Sequence, residues 1–382
     1  MKLLIEASPL EQDNPSGVNY FTGWLAKALE AKTDKNFEVG YFYLNFLRRK
    51  SLKNTLSTKA SHEGRFRQIA WIPQRVYAKL ISARIAPPLV LQKADWILFP
   101  NFYIWPVFGR AKKAVIIHDI GYLVFPEYVE EKNRRFLNRV ATRSIRKADL
   151  IVSNSSFTTS EIISRMNVPE NKIVTLNIPV DQEEFDAKHD KGREYLADRY
   201  TIKKPYIMSL GTLEPRKNLE TIILAYCELP TSVRQDYSLV LAGKWGWKID
   251  SLRELIDEKR AAGYDIITTG HVDSDDRATL YRNASFYAIS SYYEGFGMPL
   301  LEALYCGIPT VSVDIPVLRE VGEDGCVWSS RNPRDFSDKL LNLIQHPDEA
   351  RLLADRGQKR AASFSWDKTA DVLKNRLLED SL

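Results

Sequence analysis

Pro205-Tyr206-Ile207-Met208-Ser209-Leu210-Gly211-Thr212-Leu213-Glu214-Pro215-Arg216-Lys217-Asn218 is a short apolar run that halts at a glycine and turns, through two cations, into an amphipathic stretch. An apolar run this short, without alternation, reads as a strand buried on both faces. A helix directly after it makes half of a parallel β-α-β unit. The pattern continues outward in both directions. Towards the C-terminus, strands are expected at 238–242, 266–269, 286–290 and 310–313, with helices near 218–229, 250–262, 275–282 and 300–306. Helices at about 333–345, 348–361 and 366–378 close the chain. Towards the N-terminus, strands at 3–7, 37–44, 96–99, 114–118, 150–153 and 172–176 alternate with helices at 17–31, 129–147 and 155–166, the last behind a Ser/Thr-rich N-cap.

Two separate starts of this kind predict two doubly wound, Rossmann-like α/β domains. The first is expected over 1–190, joined by a C-terminal crossing helix at about 366–382, and the second over 200–365. The acidic stretch 181–190 after Pro179 is the expected linker. Length agrees, since 382 residues with 44% hydrophobic and 27% charged side chains exceed one ordinary core and are too apolar for disorder. In such sheets ligands gather at the carboxyl ends of strands, so the loops that follow strands are where chemistry is sought.

The formal charge of +5 is too mild for a dedicated nucleic-acid binder. It is unevenly spread: residues 1–195 sum to +9 and the remainder to −4, and 48–93 holds eleven Lys/Arg against the single acid Glu63. Three cysteines without metal-ligand spacing fit a reducing compartment. The apolar start stops at Glu6, short of a signal peptide, and no run of about 18 apolar residues exists to span a membrane. A cytoplasmic protein is expected, with the inner membrane face within reach.

The most informative motif is Glu294-Gly295-Phe296-Gly297-Met298-Pro299-Leu300-Leu301-Glu302, directly after an expected strand. Its glycines allow close backbone approach, Pro299 suits a first helical turn, and helix N-termini attract anions. Glu294 would face a ligand from the loop, while Glu302, about one turn in, can accept hydrogen bonds from a diol. At 211–218, Arg216 and Lys217 stand together at a helix start, where cations oppose the helix dipole unless an anion lies between them. A diphosphate would satisfy both. A tight turn with surface glutamates and a solvated basic turn are the plain alternatives when each motif is taken singly.

Together the two motifs resemble the large family of retaining GT-B nucleotide-sugar glycosyltransferases with a Glu-x7-Glu segment, glycosyltransferase family 4, which includes glycogen synthase-like and bacterial mannosyltransferases. Weaker matches run through the chain: Pro15-Ser16-Gly17-Val18, His118-Asp119, Asn154-Ser155-Ser156-Phe157 and Phe364-Ser365-Trp366. The resemblance implies two Rossmann-like domains facing a cleft and a metal-independent hexosyltransferase. Arg216 and Lys217 would neutralise the donor diphosphate, Glu302 would hold the ribose, and Glu294 with the amides of Phe296, Gly297 and Met298 would hold the sugar. The Leu300 amide would face phosphate, Gly17 and Gly211 would admit the diphosphate, and Val272, after Gly270-His271, would line the base pocket. His118 is either a satisfied core histidine or the family's histidine beside the transferred sugar, the second reading being favoured by its strand end and by Asp119.

The five histidines are scattered and no Asp-x-Asp pair is placed to hold a divalent ion beside a diphosphate, so no metal and no cofactor beyond the nucleotide sugar is expected. Asp119 and Glu127 stay open as bases in the first half, but substitution on the front face without an enzyme-bound intermediate is the expected mechanism. Acceptor binding is expected on the basic N-terminal domain. There Arg65, Arg67, Arg75, Lys79 and Arg84 interleave with apolar residues, and 74–86 forms a basic amphipathic helix suited to anionic lipid or a lipid-linked glycan. GDP-mannose is the first-choice donor because Glu-Gly-Phe-Gly-Met-Pro resembles the motif of surface-polysaccharide mannosyltransferases. UDP-sugars follow, and a nucleotide-sugar 2-epimerase of the same architecture is the rival activity.

Overall fold

The computed structural model describes residues 1–11, 17–46 and 66–381. It divides into two compact units, Met1–Ile178 with the C-terminal segment from Ser365, and Pro179–Phe364. Each is a parallel sheet between helices. The first sheet has seven strands: β1 (Lys2–Glu6), β2 (Glu38–Leu44), β3 (Phe66–Ile69), β4 (Trp96–Phe99), β5 (Lys112–Ile117), β6 (Leu150–Ser153) and β7 (Ile173–Thr175). They lie in the order β3-β2-β1-β4-β5-β6-β7. The second has six: β8 (Tyr206–Leu210), β9 (Ser238–Ala242), β10 (Ile266–Thr268), β11 (Phe286–Ile289), β12 (Thr310–Val313) and β13 (Val327–Ser329). Their order is β10-β9-β8-β11-β12-β13.

Central strands such as β4, β9 and β12 are buried along their whole length, as uninterrupted apolar runs on covered parallel sheets require. In both sheets the strand order reverses beside the first strand, at β1/β4 and at β8/β11. Such a switch point opens a crevice at the carboxyl ends because successive crossovers diverge to opposite faces.

The expected strands are all present, shifted by a residue or two at their ends. Two further strands join them, β3 within the basic stretch and the short β13. Four α-helices escaped the sequence reading: Gly121–Val124, Gly192–Tyr200, Thr231–Asp236 and Pro316–Gly322. The boundary expected at 190 moves to 178/179, and 181–190 is no free linker. Phe185 is buried edge-on against Tyr281, Glu184 pairs with Arg277, and Arg282 bonds the Phe185 carbonyl, so this acidic stretch is packed into the second unit. The terminal helix Trp366–Glu379 returns to the first unit, where Thr369 donates to the Asn177 carbonyl and Lys374 to Asp34.

Candidate active site

In the second unit, the residues singled out by sequence converge at the β8/β11 switch point. Gly211 follows β8 at φ 151°, and a Cβ there would press on the Lys217 side chain at 3.3 Å. Its backbone lies so close to Gly243, after β9, that a Cβ on Gly243 would stand 2.0 Å from the Gly211 carbonyl oxygen. Two adjacent strand ends thus meet through glycine backbone alone. The chain then makes a short 3-10 turn, Pro215–Lys217, passes Asn218 in the left-handed region (φ 49°), and enters helix Leu219–Glu228.

Arg216 and Lys217 leave this turn towards Glu294, which follows β11. Lys217 Nζ lies 2.5 Å from Glu294 Oε1 and Arg216 Nη1 lies 2.8 Å from Oε2, while Ser291 donates to Oε1 at 2.7 Å. Arg216 also donates to the Tyr293 carbonyl and to Glu214, and its own carbonyl accepts from Tyr292 N–H at 2.8 Å. Glu294 is 6% exposed. Burial disfavours its charge, but Arg216 and Lys217 outweigh burial and hold its carboxyl at about 2. The expectation that the paired cations need an external anion is corrected here: Glu214 and Glu294 balance them within the protein. Glu214, two residues before Arg216, was passed over in the sequence although its spacing in extended backbone allows that return contact.

Glu302 sits on helix Met298–Tyr305 and is 2% exposed. It is tied by Arg277 at Oε1 and by the Tyr281 hydroxyl at Oε2, the latter at 2.8 Å. Arg277 reaches on to Glu184 at 2.7 Å. Burial, with Glu302 nearby, pushes the Glu184 carboxyl up to about 7 against the pull of Arg277. No local pattern announces Arg277, Tyr281 or Glu184, because the packing of helix Ser274–Asn283 brings the first two to Glu302 and the packing of 181–190 brings Glu184 to Arg277. Gly297 caps the helix at φ 105° with a would-be Cβ 2.6 Å from Leu318, so only glycine fits. Phe296 and Leu300 point into the core, Phe296 edge-on to Phe364. The Leu300 N–H, expected to face phosphate, donates instead to the Gly297 carbonyl at 2.9 Å, which closes the turn. Met298 and Val272 are half-buried, Val272 in the loop between β10 and helix Ser274–Asn283.

In the first unit the strand ends at and beside the corresponding switch point bear a histidine, His118, and two carboxylates, Glu6 and Asp119. His118 follows β5, is 8% exposed, and is flanked edge-on by Phe21 and Phe102. Its Nε2 is 2.8 Å from the Pro100 carbonyl, which only accepts, so Nε2 carries the proton and Nδ1 is the ring's acceptor. Burial lowers its pKa and keeps it neutral. Asp119 is engaged by the Gly121 N–H at 2.8 Å, and Glu127 is exposed. A carboxylate missed in the sequence is Glu6. Buried at the end of β1, it accepts from Ser8 N–H at 2.7 Å; an acid closing a wholly apolar strand was the signal. Asn154, after β6, has its Oδ1 buried without a partner among the described residues. Gly17 opens helix Gly17–Ala31 with open space where a Cβ would stand.

Of the expected acceptor and membrane cations, Arg65 lies outside the described residues, as do Pro15 and Ser16. Arg67 is on β3, and Arg75 and Lys79 are on helix Gln74–Ala83. That helix stops short of its expected end at 86, because Arg84 turns left-handed (φ 66°) before two prolines. No cluster of three His, Cys, Asp or Glu able to hold a metal occurs among the described residues. Nor is any of their helices long and apolar enough to cross a membrane.

Residues 197–360 match the family described as glycosyl transferases group 1. Over 322 residues the chain is 31% identical to the O-antigen chain mannosyltransferase B of Escherichia coli, covering 83% of each protein. It is 29% identical over 279 residues to the serotype-specific mannosyltransferase WbdA of Escherichia coli, covering 71% of this chain but 34% of that one. Among solved structures, Anabaena HepE in complex with UDP and glucose shares the fold with a TM-score of 0.71 over 99% of this chain and 100% of that one, at 16% identity. The chain belongs to the glycosyl transferases group 1 family and is a glycosyltransferase of the GT-B fold.

Proposed function

We propose that this protein transfers mannose from GDP-mannose to a glycan or lipid-linked glycan during polysaccharide assembly, with retention of configuration and without a metal ion. The observation that carries this reading is the Arg216–Lys217–Glu294 cluster at the β8/β11 switch point, in a chain related along most of its length to an O-antigen mannosyltransferase. The Lys217 ammonium has three donors, of which the contact with Glu294 takes one. A diphosphate seated there meets two fixed cations that need no reorganisation when charge develops on it.

In the step we envisage, the bond between the anomeric carbon and the diphosphate oxygen breaks, and its electron pair leaves with GDP. The acceptor hydroxyl attacks the anomeric carbon from the same face and passes its proton to the departing diphosphate oxygen. Arg216 and Lys217 stabilise the growing negative charge, Glu294 orients sugar hydroxyls and both cations, and Glu302, fixed by Arg277 and Tyr281, accepts from the ribose. Gly17, Gly211, Phe296, Gly297 and Met298 supply close backbone, and Val272 borders the base. His118 Nδ1 accepts a hydrogen bond from a sugar hydroxyl. The basic surface of the first unit, with Arg67, Arg75, Lys79 and Arg84, works against the anionic inner membrane face where a lipid-linked acceptor resides.

Nucleotide release measured across GDP-mannose, GDP-fucose, UDP-glucose and UDP-N-acetylglucosamine, with glycan acceptors, tests the donor. Turnover is expected with GDP-mannose, with the anomeric configuration retained by NMR and activity undiminished by chelators. Turnover with UDP-sugars alone, or an inverted product, would replace this reading. Conversion of donor with no acceptor present would favour the epimerase.

A further inference from the structure

At the opposite, amino-terminal ends of β5 and β6 lies a second concentration of charge that the transferase reading does not use. A cavity of about 440 Å³ is lined by Arg84, Lys113, Arg139, Arg143 and Lys147, with Trp105 among its apolar wall residues and no Asp or Glu in its lining. Lys113 is the second residue of β5, and Lys147 ends helix Glu131–Lys147 just before β6. His118 and Asn154 leave the same two strands at their other ends.

Arg139, Arg143 and Lys147 are spaced four apart, so they form one row along a single helix face, where like charges destabilise a helix. Earlier on this helix the cations are neutralised: Glu131 pairs with Arg134 at 2.6 Å and Arg135 at 2.5 Å. In the row facing the cavity they are not. Among the described residues, Arg139 donates only to the Ser82 hydroxyl and Lys113 Nζ only to the Ala111 carbonyl, both at 3.4 Å, and none of the five meets a carboxylate within a salt bridge. An adjoining depression shares Ser82 and Arg139 and does carry acids, Glu130 and Glu131. Converging cations in a concave, partly apolar site repel one another unless a dianion completes them.

The rim tells which anion. Ile85 is 69% exposed between the lining residues Arg84 and Ala86, and Phe108 is 63% exposed directly after Val107. Val90, 62% exposed, adjoins Phe108 through the Phe108 N–H to Leu89 carbonyl bond. Apolar side chains held in water around a cationic hollow fit a phosphate carried on an acyl or polyprenyl chain. We infer that this cavity binds the phosphate headgroup of a membrane amphiphile, with Ile85, Val90 and Phe108 entering the apolar layer beside it. The inference rests on the membrane part of the proposed function and adds to it a defined headgroup site, at the ends of β5 and β6 opposite His118 and Asn154.

The test is co-sedimentation of the full chain with phosphatidylcholine vesicles, with and without one-fifth phosphatidic acid. The combined Arg139→Ala, Arg143→Ala, Lys147→Ala variant is compared with Arg75→Ala, Lys79→Ala, which removes cations of the neighbouring helix outside the cavity. Wild type is expected to bind the acidic vesicles, the cavity variant about a hundredfold more weakly, and the helix variant with a much smaller loss. Phe108→Ser is expected to weaken vesicle binding while leaving titration with inorganic phosphate unchanged. Unaltered circular dichroism and thermal midpoints verify that the variants are folded. Equal losses in both cation variants, or none in the cavity variant, would overturn the cavity while the membrane reading stood. No binding of wild type to acidic vesicles would overturn both, and binding of inorganic phosphate without vesicle binding would overturn the lipid as its source.

Discussion

The two switch points are built alike in backbone and oppositely in charge. At β8/β11, Arg216, Lys217, Glu214 and Glu294 are locked in direct ion pairs, and Glu294 is held ionised despite burial. At β1/β4 and the strand beside it, a neutral His118 lies between phenylalanines, and its N–H is spent on a backbone carbonyl. The same kind of crevice, one in each unit, can therefore serve two chemistries. A charged one suits a diphosphate that gains charge as it leaves. One whose strand ends bear acceptors, the His118 Nδ1 and an Asn154 Oδ1 without a partner among the described residues, suits sugar hydroxyls that carry no charge.

Breaking the charged site should have the largest effect. Arg216→Ala is expected to lower kcat for donor turnover by about 10²–10³, the scale of losing one preorganised donor to a developing anion. His118→Ala should cost about tenfold, the scale of one neutral hydrogen bond. Steady-state nucleotide release measures both; comparable losses would erase the distinction between the sites. Next in size is Glu294→Gln, which leaves two half-buried cations short of their partner. A destabilisation of about 3 kcal/mol in urea titration is expected at neutral pH.

The same carboxylate sets an acid limit. Its folded pKa, about 2, lies below its unfolded value of about 4.5, so its contribution of about 3 kcal/mol is complete above pH 4.5 and disappears as pH falls towards 2. His118 acts in a different window. Its pKa is lowered on folding, so the stability it confers is complete above its unfolded value near ~6.5 and declines below it. In His118→Gln the loss between about pH 6.5 and 4.5 should shrink, whereas Glu294→Gln should flatten only the lower part, as read from thermal midpoints against pH.

Glycines sharpen the comparison at the smallest scale. Gly243→Ala sets a Cβ against the Gly211 carbonyl and should cost about 2 kcal/mol or more. Gly17→Ala meets nothing and should leave stability within about 0.5 kcal/mol. If Gly17 admits a diphosphate, its cost will fall on donor KM instead.

How far these features could be read in the sequence follows from how local they are. The sheets were legible because covered parallel strands are short apolar runs, and Trp96–Phe99, Leu150–Ser153, Ser238–Ala242 and Thr310–Val313 announce themselves that way. Arg216, Lys217 and Glu294 were legible because they stand in loops that follow strands, where a doubly wound sheet gathers ligands, and Glu302 because it stands in the helix those loops lead into. The partners were not. Arg277 meets Glu302 from 25 residues away through the packing of helix Ser274–Asn283, and Glu184, 118 residues from Glu302, joins Arg277 only because 181–190 packs into the second unit. The same packing moved the domain boundary, since an acidic, polar-looking stretch hides one anchoring aromatic, Phe185. Glu6 was overlooked because it was read as the end of an apolar run rather than as the loop end of a strand.

The central claim is that the cation pair at β8/β11 drives departure of GDP. The most direct measurement is steady-state GDP release at saturating GDP-mannose and acceptor for wild type and Lys217→Ala, with folding verified by circular dichroism. A fall of about a hundredfold or more in kcat is expected; unchanged turnover in the folded variant would contradict the account.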